Sequence, residues 1–374
     1  MNHRTAPGLV RDSIVNYLTA AESASIAEIC QAVAARIGDV CASSVRSYLN
    51  INTPDVFERT GRGRYKLRAV MSDGVPAQPP SRQIGKATLF EANCFDWMRA
   101  REPHTIHGIV TDPPYGLLEY SATEQAKLRK GQGGVWRIPP SFDGHQRSPL
   151  PRFTVLNDGD RAAMHDFFHE FGQQALRVTV PGANILVASN PLLVHIVANA
   201  MSAAGLELRG HLVRLVMTMR GGDRPKNAHE EFVDVSVMPR SMFEPWLVLR
   251  HPLDGRSQDT LRKWKTGGFR RPSHDRPFGD VIRSRPTPRV EKQIAPHPSL
   301  KPQAFLRTVV RASLPIGKGV ILDPFAGSGS TLAAANAVGY ESIGIEKDGR
   351  YFALAQKAIP KLAALTIDED ASGQ

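Results

Sequence analysis

Val320-Ile321-Leu322-Asp323-Pro324-Phe325-Ala326-Gly327-Ser328-Gly329-Ser330-Thr331 runs from a short apolar stretch through a glycine turn into a helical pattern. Glycines at that spacing permit a tight turn and let the backbone approach a ligand closely, as in nucleotide-binding folds. About 17 residues beyond the turn, Glu346 ends the next apolar stretch, residues 342–345. A carboxylate at that place can accept both ribose hydroxyls of a bound nucleoside. Strand, turn, helix and strand in this order define an α/β fold with a parallel sheet.

The same alternation extends outward. Residues 106–111, 184–188, 320–322 and 342–345 read as strands, and 160–178, 191–204, 301–313, 330–338 and 348–362 as helices. At 374 residues the chain has room for two or three domains. Its 41% hydrophobic content excludes a largely disordered chain. Cys30, Cys41 and Cys94 are too few and too scattered for a disulfide scaffold or a zinc site of CxxC pairs. His165 and His169 have ligand spacing but no third partner, so no metal is expected. No apolar run approaches the roughly 20 residues of a membrane span. The opening residues MNHRTAPGLVRDS lack a secretory stretch, so the expected location is the cytoplasm, at the nucleoid. Lys and Arg outnumber Asp and Glu by 47 to 36, a formal charge of +11, which points to a polyanionic partner.

Asp112-Pro113-Pro114-Tyr115 follows directly on 106–111. A strand ending in such a tetrapeptide places it at the carboxyl edge of the sheet, where open α/β folds bind ligands. Two prolines stiffen the turn and withhold two backbone donors, leaving carbonyls as acceptors. The tetrapeptide resembles the catalytic motif of amino-methyltransferases, which methylate exocyclic NH2 groups of bases. An exocyclic amine is a poor nucleophile because its lone pair is delocalised into the ring. The resemblance implies that Asp112 and the Pro113 carbonyl accept its two N–H bonds, and that Tyr115 stacks on a base rotated out of the duplex.

Two further segments carry the same resemblance. Asp323 to Gly329 (DPFAGSG) resembles the S-adenosyl-L-methionine loop of DNA methyltransferases, and GIEKDGRYFALAQ, from Gly344, the segment after it. The implied cofactor contacts are Asp323, Pro324, Phe325, Ala326, Gly327, Ser328, Gly329 and Glu346. His297-Pro298-Ser299-Leu300-Lys301-Pro302 resembles the HPxxKP signature ahead of that loop, which implies that Ser299 and Lys301 close over the methionine end of the cofactor. The order of the motifs resembles the beta class of DNA amino-methyltransferases, over roughly residues 86–362. That class has Gly-Asp before a Cys ahead of the catalytic strand. Here the stretch is Glu91-Ala92-Asn93-Cys94, so Asn93 takes the place of the acid that reaches the cofactor's adenine.

The expected organisation is a small N-terminal domain, 1–70, a linker, 71–84, a Rossmann-like methyltransferase domain, 85–208 and 297–365, a basic target-recognition insert, 209–296, and a tail, 366–374. Three helical patterns before residue 50 and the hairpin sequence VFERTGRGRYKLR resemble a winged helix-turn-helix, with Arg62, Arg64 and Lys66 on the wing. Residues 250–292 hold 12 Lys or Arg against 5 Asp or Glu, net +7. Arg270, Arg271, Arg276, Arg283, Arg285 and Arg289 are the expected DNA contacts there, joined by Arg137 from the basic segment 116–152. Double-stranded DNA is the expected partner. A separately encoded restriction endonuclease and a second copy of the chain are further candidates. Adenine N6 is preferred over cytosine N4 because DPPY is commoner among adenine enzymes. Two rival readings are RNA guanine-N2 methylation and a DNA-binding regulator that has lost catalysis.

Overall fold

The computed structural model describes residues 9–38, 45–46, 48–49, 53, 57–61, 63–67, 79–114, 141–142, 145–146, 158–216, 222, 224–225, 227–297 and 299–367. Contacts divide the chain into two units, Met1–Ala77 and Gln78–Gln374.

In the first unit, α1 (Leu9–Ala20), β1 (Ala24–Ser25) and α2 (Ile26–Ile37) precede a hairpin of β2 (Phe57–Gly61) and β3 (Arg64–Leu67). Ser25 starts α2 through a capping box: its hydroxyl accepts from Glu28 N, and its own N–H donates to Glu28 Oε2 at 2.6 Å. Ile14, Leu18, Ile29, Val33, Phe57 and Tyr65 form a core with Val45 and Leu49. Those last two stand in the stretch read as a third helix, of which residues 45–46 and 48–49 are described and helical.

The second unit begins with β4 (Ser81–Ile84), β5 (Ala87–Glu91), α3 (Cys94–Ala100) and β6 (Ile106–Thr111). A small ribbon of β7 (Ser141–Phe142) and β8 (His145–Gln146) follows, then α4 (Asp158–Val178), β9 (Thr179–Ala188) and α5 (Val194–Ala203). Next come β10 (Glu207–Leu215), β11 (Phe243–Arg250), α6 (Ser257–Trp264), β12 (Val281–Arg283) and α7 (Arg289–Ile294). The chain closes with α8 (Gln303–Ser313), β13 (Val320–Asp323), α9 (Ser330–Ala337), β14 (Glu341–Glu346) and α10 (Gly349–Ala363).

One sheet organises this unit, in the order β12-β10-β11-β9-β6-β13-β14-β5-β4. β9, β6, β13, β14 and β5 are mutually parallel, while β11 and β4 run against them. Helices cover both faces, so each central strand is apolar on both sides. Ile109, Ile185, Val187, Leu247 and Leu322 face α3, α4 and α5. Their neighbours Val110, Leu186, Trp246, Val248 and Ile321 face α8 and α9. Trp246 and Phe305 are fully buried, each worth roughly 1.5–3 kcal/mol relative to exposure.

Several boundaries differ from the sequence reading for local reasons. Helix α8 starts at Gln303 rather than 301, because Pro302 disfavours helical backbone at Lys301. Strand β9 reaches back to Thr179 through Pro181 and Gly182, two residues that disguise a strand. Ser81–Ile84, inside the expected linker, pairs with β5 as an edge strand. The expected insert 209–296 contains β10 from its third residue onward, β11 and β12, all members of the main sheet. The other described residues of 209–296 lie outside it.

Candidate active site

From β6 the chain proceeds to β9 on one side, and from β13 to β14 on the other. The two starting strands are neighbours, with Leu322 opposite Ile109. Their carboxyl ends therefore form a topological switch point, the place where open α/β sheets bind ligands. Asp112 and Pro113 leave β6 there, and Asp323 and Pro324 leave β13. Thr111 ties the two ends together by donating its hydroxyl to Asp323 Oδ1 at 2.7 Å. Asp323 also accepts from Phe325 N at 3.2 Å, which shapes the turn. Burial pushes the Asp323 carboxyl up to about 6, against hydrogen bonds from Thr111, Thr331 and Phe325, with Asp112 adding repulsion.

The glycine loop then turns into α9. Gly327 and Gly329 have φ of 51° and 79°, the left-handed region that favours glycine. A Cβ on Gly329 would meet Ile359 at 2.5 Å, so close packing of α9 on α10 also requires glycine. Phe325 packs against Phe167 and Phe171 of α4, while Pro324, Ala326 and Ser328 are buried in the turn. At the end of β14, Glu346 accepts from Gly327 N at 2.8 Å and Asp348 N at 2.7 Å. Burial raises its carboxyl above the ordinary value, and those backbone bonds oppose the rise. At the end of β5, Asn93 caps α3 by accepting from Phe95 N, which leaves its NH2 as a donor for a ligand. Ala92 N donates to Glu346 O, so these two strand ends adjoin. Glycines without side chains, a carboxylate and an amide donor on adjoining strand ends suit an adenosine moiety. The residues fit the expected cofactor.

The segment before α8 lies over the same loop. A Cβ on Gly327 would come within 3.2 Å of the His297 ring, which also packs edge-on against Tyr351. Ser299 is exposed, and its N–H donates to His297 Nδ1. Lys301 is buried, and its ammonium donates to Asp112 Oδ2 at 2.6 Å. Glu244 Oε1 lies 3.6 Å from the same ammonium, and Glu244 Oε2 accepts from Arg214 at 3.1 Å. Trp246 Nε1 completes the contact by donating to Glu244 Oε1. Burial would raise the Glu244 carboxyl, yet Lys301 and Arg214 hold it below the ordinary value. Burial would likewise lower Lys301, and Asp112 and Glu244 raise it instead.

Thr111, Arg214, Glu244 and Trp246 were not legible as site residues. Arg214 and Glu244 are cross-strand partners in β10 and β11, a register that only the paired strands reveal. Tyr115, Arg62 and Arg137 lie outside the described residues, as do most of 116–152. Arg64 and Lys66 are described, with Glu28 at 3.9 Å and Glu58 at 3.1 Å. Arg283, which ends β12, and Arg285 and Arg289, which follow it, are exposed on the Asp112 side of the sheet. Arg276 is exposed in the preceding loop. Arg270 and Arg271 stand at the opposite, amino edge. Arg270 binds Ala312 O and Tyr340 Oη there, and both line an open cleft of about 430 Å³ with Arg311 and His274. The structure does not bring this pair to the switch point.

A family model described as DNA methylase, of the N6/N4 type, matches residues 106–357. The Type II methyltransferase M2.DpnII of Streptococcus pneumoniae is 23% identical over 290 residues, 76% of this chain and 94% of that protein. M2.LlaDCHI of Lactococcus lactis subsp. cremoris is 24% identical over 292 residues, 77% and 94% of the two chains. Among solved structures, TTHA0409 of Thermus thermophilus, complexed with S-adenosyl-L-methionine, is 18% identical with a TM-score of 0.46, covering 74% of this chain and 94% of its own.

Proposed function

Because the chain belongs to the N6/N4 family of DNA methylases, we propose that it methylates the N6 amine of an adenine rotated out of a specific duplex sequence. It is a site-specific DNA methyltransferase with S-adenosyl-L-methionine as methyl donor. The observation that carries the proposal is the junction of Asp112 with the glycine loop, bridged by Thr111 and Asp323, at the switch point of the sheet.

When bound, the cofactor supplies a methyl group on a positively charged sulfur, which departs as a neutral thioether. The protein's task is to hold the amine in line and favour charge developing on its nitrogen. Asp112 accepts one N–H of the amine and the Pro113 carbonyl accepts the other, which draws the nitrogen towards tetrahedral geometry. The negative Asp112 stabilises the nitrogen as it becomes positive, and the surplus proton leaves through the carboxylate to water. Tyr115 stacks on the extruded base. Glu346 would accept the ribose hydroxyls of the cofactor, and Asn93 would hydrogen-bond its adenine. Ser299 borders its methionine end. Phe325, backed by Phe167 and Phe171, walls the site against water.

Duplex DNA runs along the carboxyl edge in this proposal, gripped by Arg283, Arg285 and Arg289, with Arg276, Arg137 and the N-terminal unit adding contacts through Arg62, Arg64 and Lys66. Its winged-helix resemblance supports that role. A restriction endonuclease encoded elsewhere and a second copy of the chain are the remaining proposed partners, and the cytoplasm at the nucleoid is the proposed location. No described helix is long and apolar enough to cross a membrane.

The test is transfer of a labelled methyl group to unmethylated genomic DNA, followed by digestion to nucleosides. N6-methyladenine is the expected product. N4-methylcytosine would overturn the choice of base and leave the mechanism standing. Unlabelled DNA with cofactor bound would overturn the proposed reaction.

A further inference from the structure

We propose that Lys301 is a positioning residue for the Asp112 carboxylate, itself held in place by Glu244 and Arg214, rather than a clamp on the cofactor's methionine end. The inference rests on the reading of Asp112 as the acceptor of the amine. Four side chains alternate in charge along one line: Asp112, Lys301, Glu244 and Arg214, with contacts of 2.6, 3.6 and 3.1 Å. All are between 6% and 17% exposed, so each charge depends on its neighbours rather than on water.

The line is anchored at every station. The backbone before α8 is fixed by Thr287, which donates to Leu300 O at 2.7 Å, and by Glu291, which accepts from Gln303 N at 3.0 Å. Arg214 donates to Ser284 Oγ and Arg285 O, and its guanidinium lies over the Phe305 ring. Glu244 thus meets a fixed cation on one side and Lys301 on the other. Lys301 has three N–H donors and no acceptor, so it serves two carboxylates at once.

The chemistry needs such a device. A carboxylate turns readily about its last torsion, which has a broad, roughly two-fold potential. A short charge-assisted bond to Oδ2 fixes the carboxylate plane, and with it the direction from which Asp112 accepts a substrate N–H. Arg214 carries the line to Ser284 and Arg285, beside the basic residues proposed to meet DNA.

Steady-state kinetics of Lys301→Met and Glu244→Gln test this, with Asp112→Ala as reference. Lys301→Met is expected to lower kcat about 100-fold, the effect of a misplaced catalytic group, with the cofactor KM within about twofold of the original. Glu244→Gln, acting at second hand, is expected to lower kcat about tenfold, again without changing the cofactor KM. The double variant is expected to match Lys301→Met alone, because Glu244 acts through Lys301. A raised cofactor KM with kcat retained in Lys301→Met would make Lys301 a clamp and overturn the proposal. So would additive losses in the double variant. If thermal melting shows Lys301→Met unfolded, the kcat-against-KM split of Glu244→Gln decides in the same way. Turnover surviving in Asp112→Ala would overturn the proposed reaction itself. An inactive Asp112→Ala beside fully active Lys301→Met and Glu244→Gln would overturn this inference alone.

Discussion

The two edges of the main sheet use polar side chains differently. At the carboxyl edge, Asp112, Lys301, Glu244, Arg214, Asp323 and Glu346 are ionisable, shielded and close together. At the amino edge the well-buried partners are neutral, and the ion pair there, Arg250 with Glu207, is more exposed. Asn184 donates to Gly268 O at 2.8 Å and Ser313 O at 2.9 Å, Thr266 donates to Pro181 O, and Thr179 lies 3.1 Å from His251 Nδ1. Neutral bonds to backbone carbonyls tie loops to strands at low cost. Buried charges are expensive and are retained where their fields do work on a ligand. Under the proposed function, the contrast puts stability at one edge and chemistry at the other.

The largest effect that can break this contrast is on cofactor affinity. Glu346→Ala is expected to weaken S-adenosyl-L-methionine binding about 100-fold, measured by calorimetry, because the proposed charged acceptor of two hydroxyls is lost. Its cofactor-free melting temperature should move little, since two backbone bonds are lost while a carboxylate disfavoured by burial is removed. A large stability loss with affinity retained would place Glu346 in the scaffold. The reverse is expected across the sheet. Asn184→Ala removes the donor from one buried and one part-buried carbonyl and should cost about 2 kcal/mol in urea unfolding. Turnover per folded molecule should stay within about twofold, because Asn184 pairs with Gly108, several residues back along the strand from Asp112. A fall in kcat without a fall in stability would erase the division of labour.

What could be read in the chain follows the same division. β6 and β13 are legible as apolar runs closed by Asp-Pro turns, so Asp112, Asp323 and the glycine loop stand out locally. Glu346 is legible because the next strand must end beside that loop. Lys301 is legible as part of a segment, but not its partner: Asp112 lies 189 residues away, and no spacing encodes the meeting. Arg214 and Glu244 are hidden for another reason. Glu207–Leu215 alternates poorly, with charges at Arg209 and Arg214, and Phe243–Arg250 opens with Glu244 and Pro245, so both read as insert rather than sheet. Their register brings the two together, and register is set by pairing between residues 30 positions apart. Arg270 and Arg271 show the converse. Positive charge is visible in sequence, but the edge of the sheet on which it lands is not.

The smallest expected effect sharpens the contrast through pH. Burial and the neighbouring His104 push His251 down to about 4, against an ordinary value of 6.5. Between those values the unfolded chain binds the proton more tightly, so this group makes stability rise with pH and is lost as pH falls. Asp323 is shifted the other way, from 3.8 up to about 6. Between those values the folded chain binds the proton more tightly, so stability declines as pH rises. The amino and carboxyl edges thus carry opposite slopes over one window. Asp323→Asn, which keeps an acceptor for Thr111, should make stability relative to the original protein climb by roughly 1–2 kcal/mol between about pH 4.5 and 6.5. His251→Asn should produce a relative decline over the same range. Urea midpoints taken across the window measure both. Relative slopes of the same sign in the two variants would show that the edges do not differ in the way their burial and partners indicate.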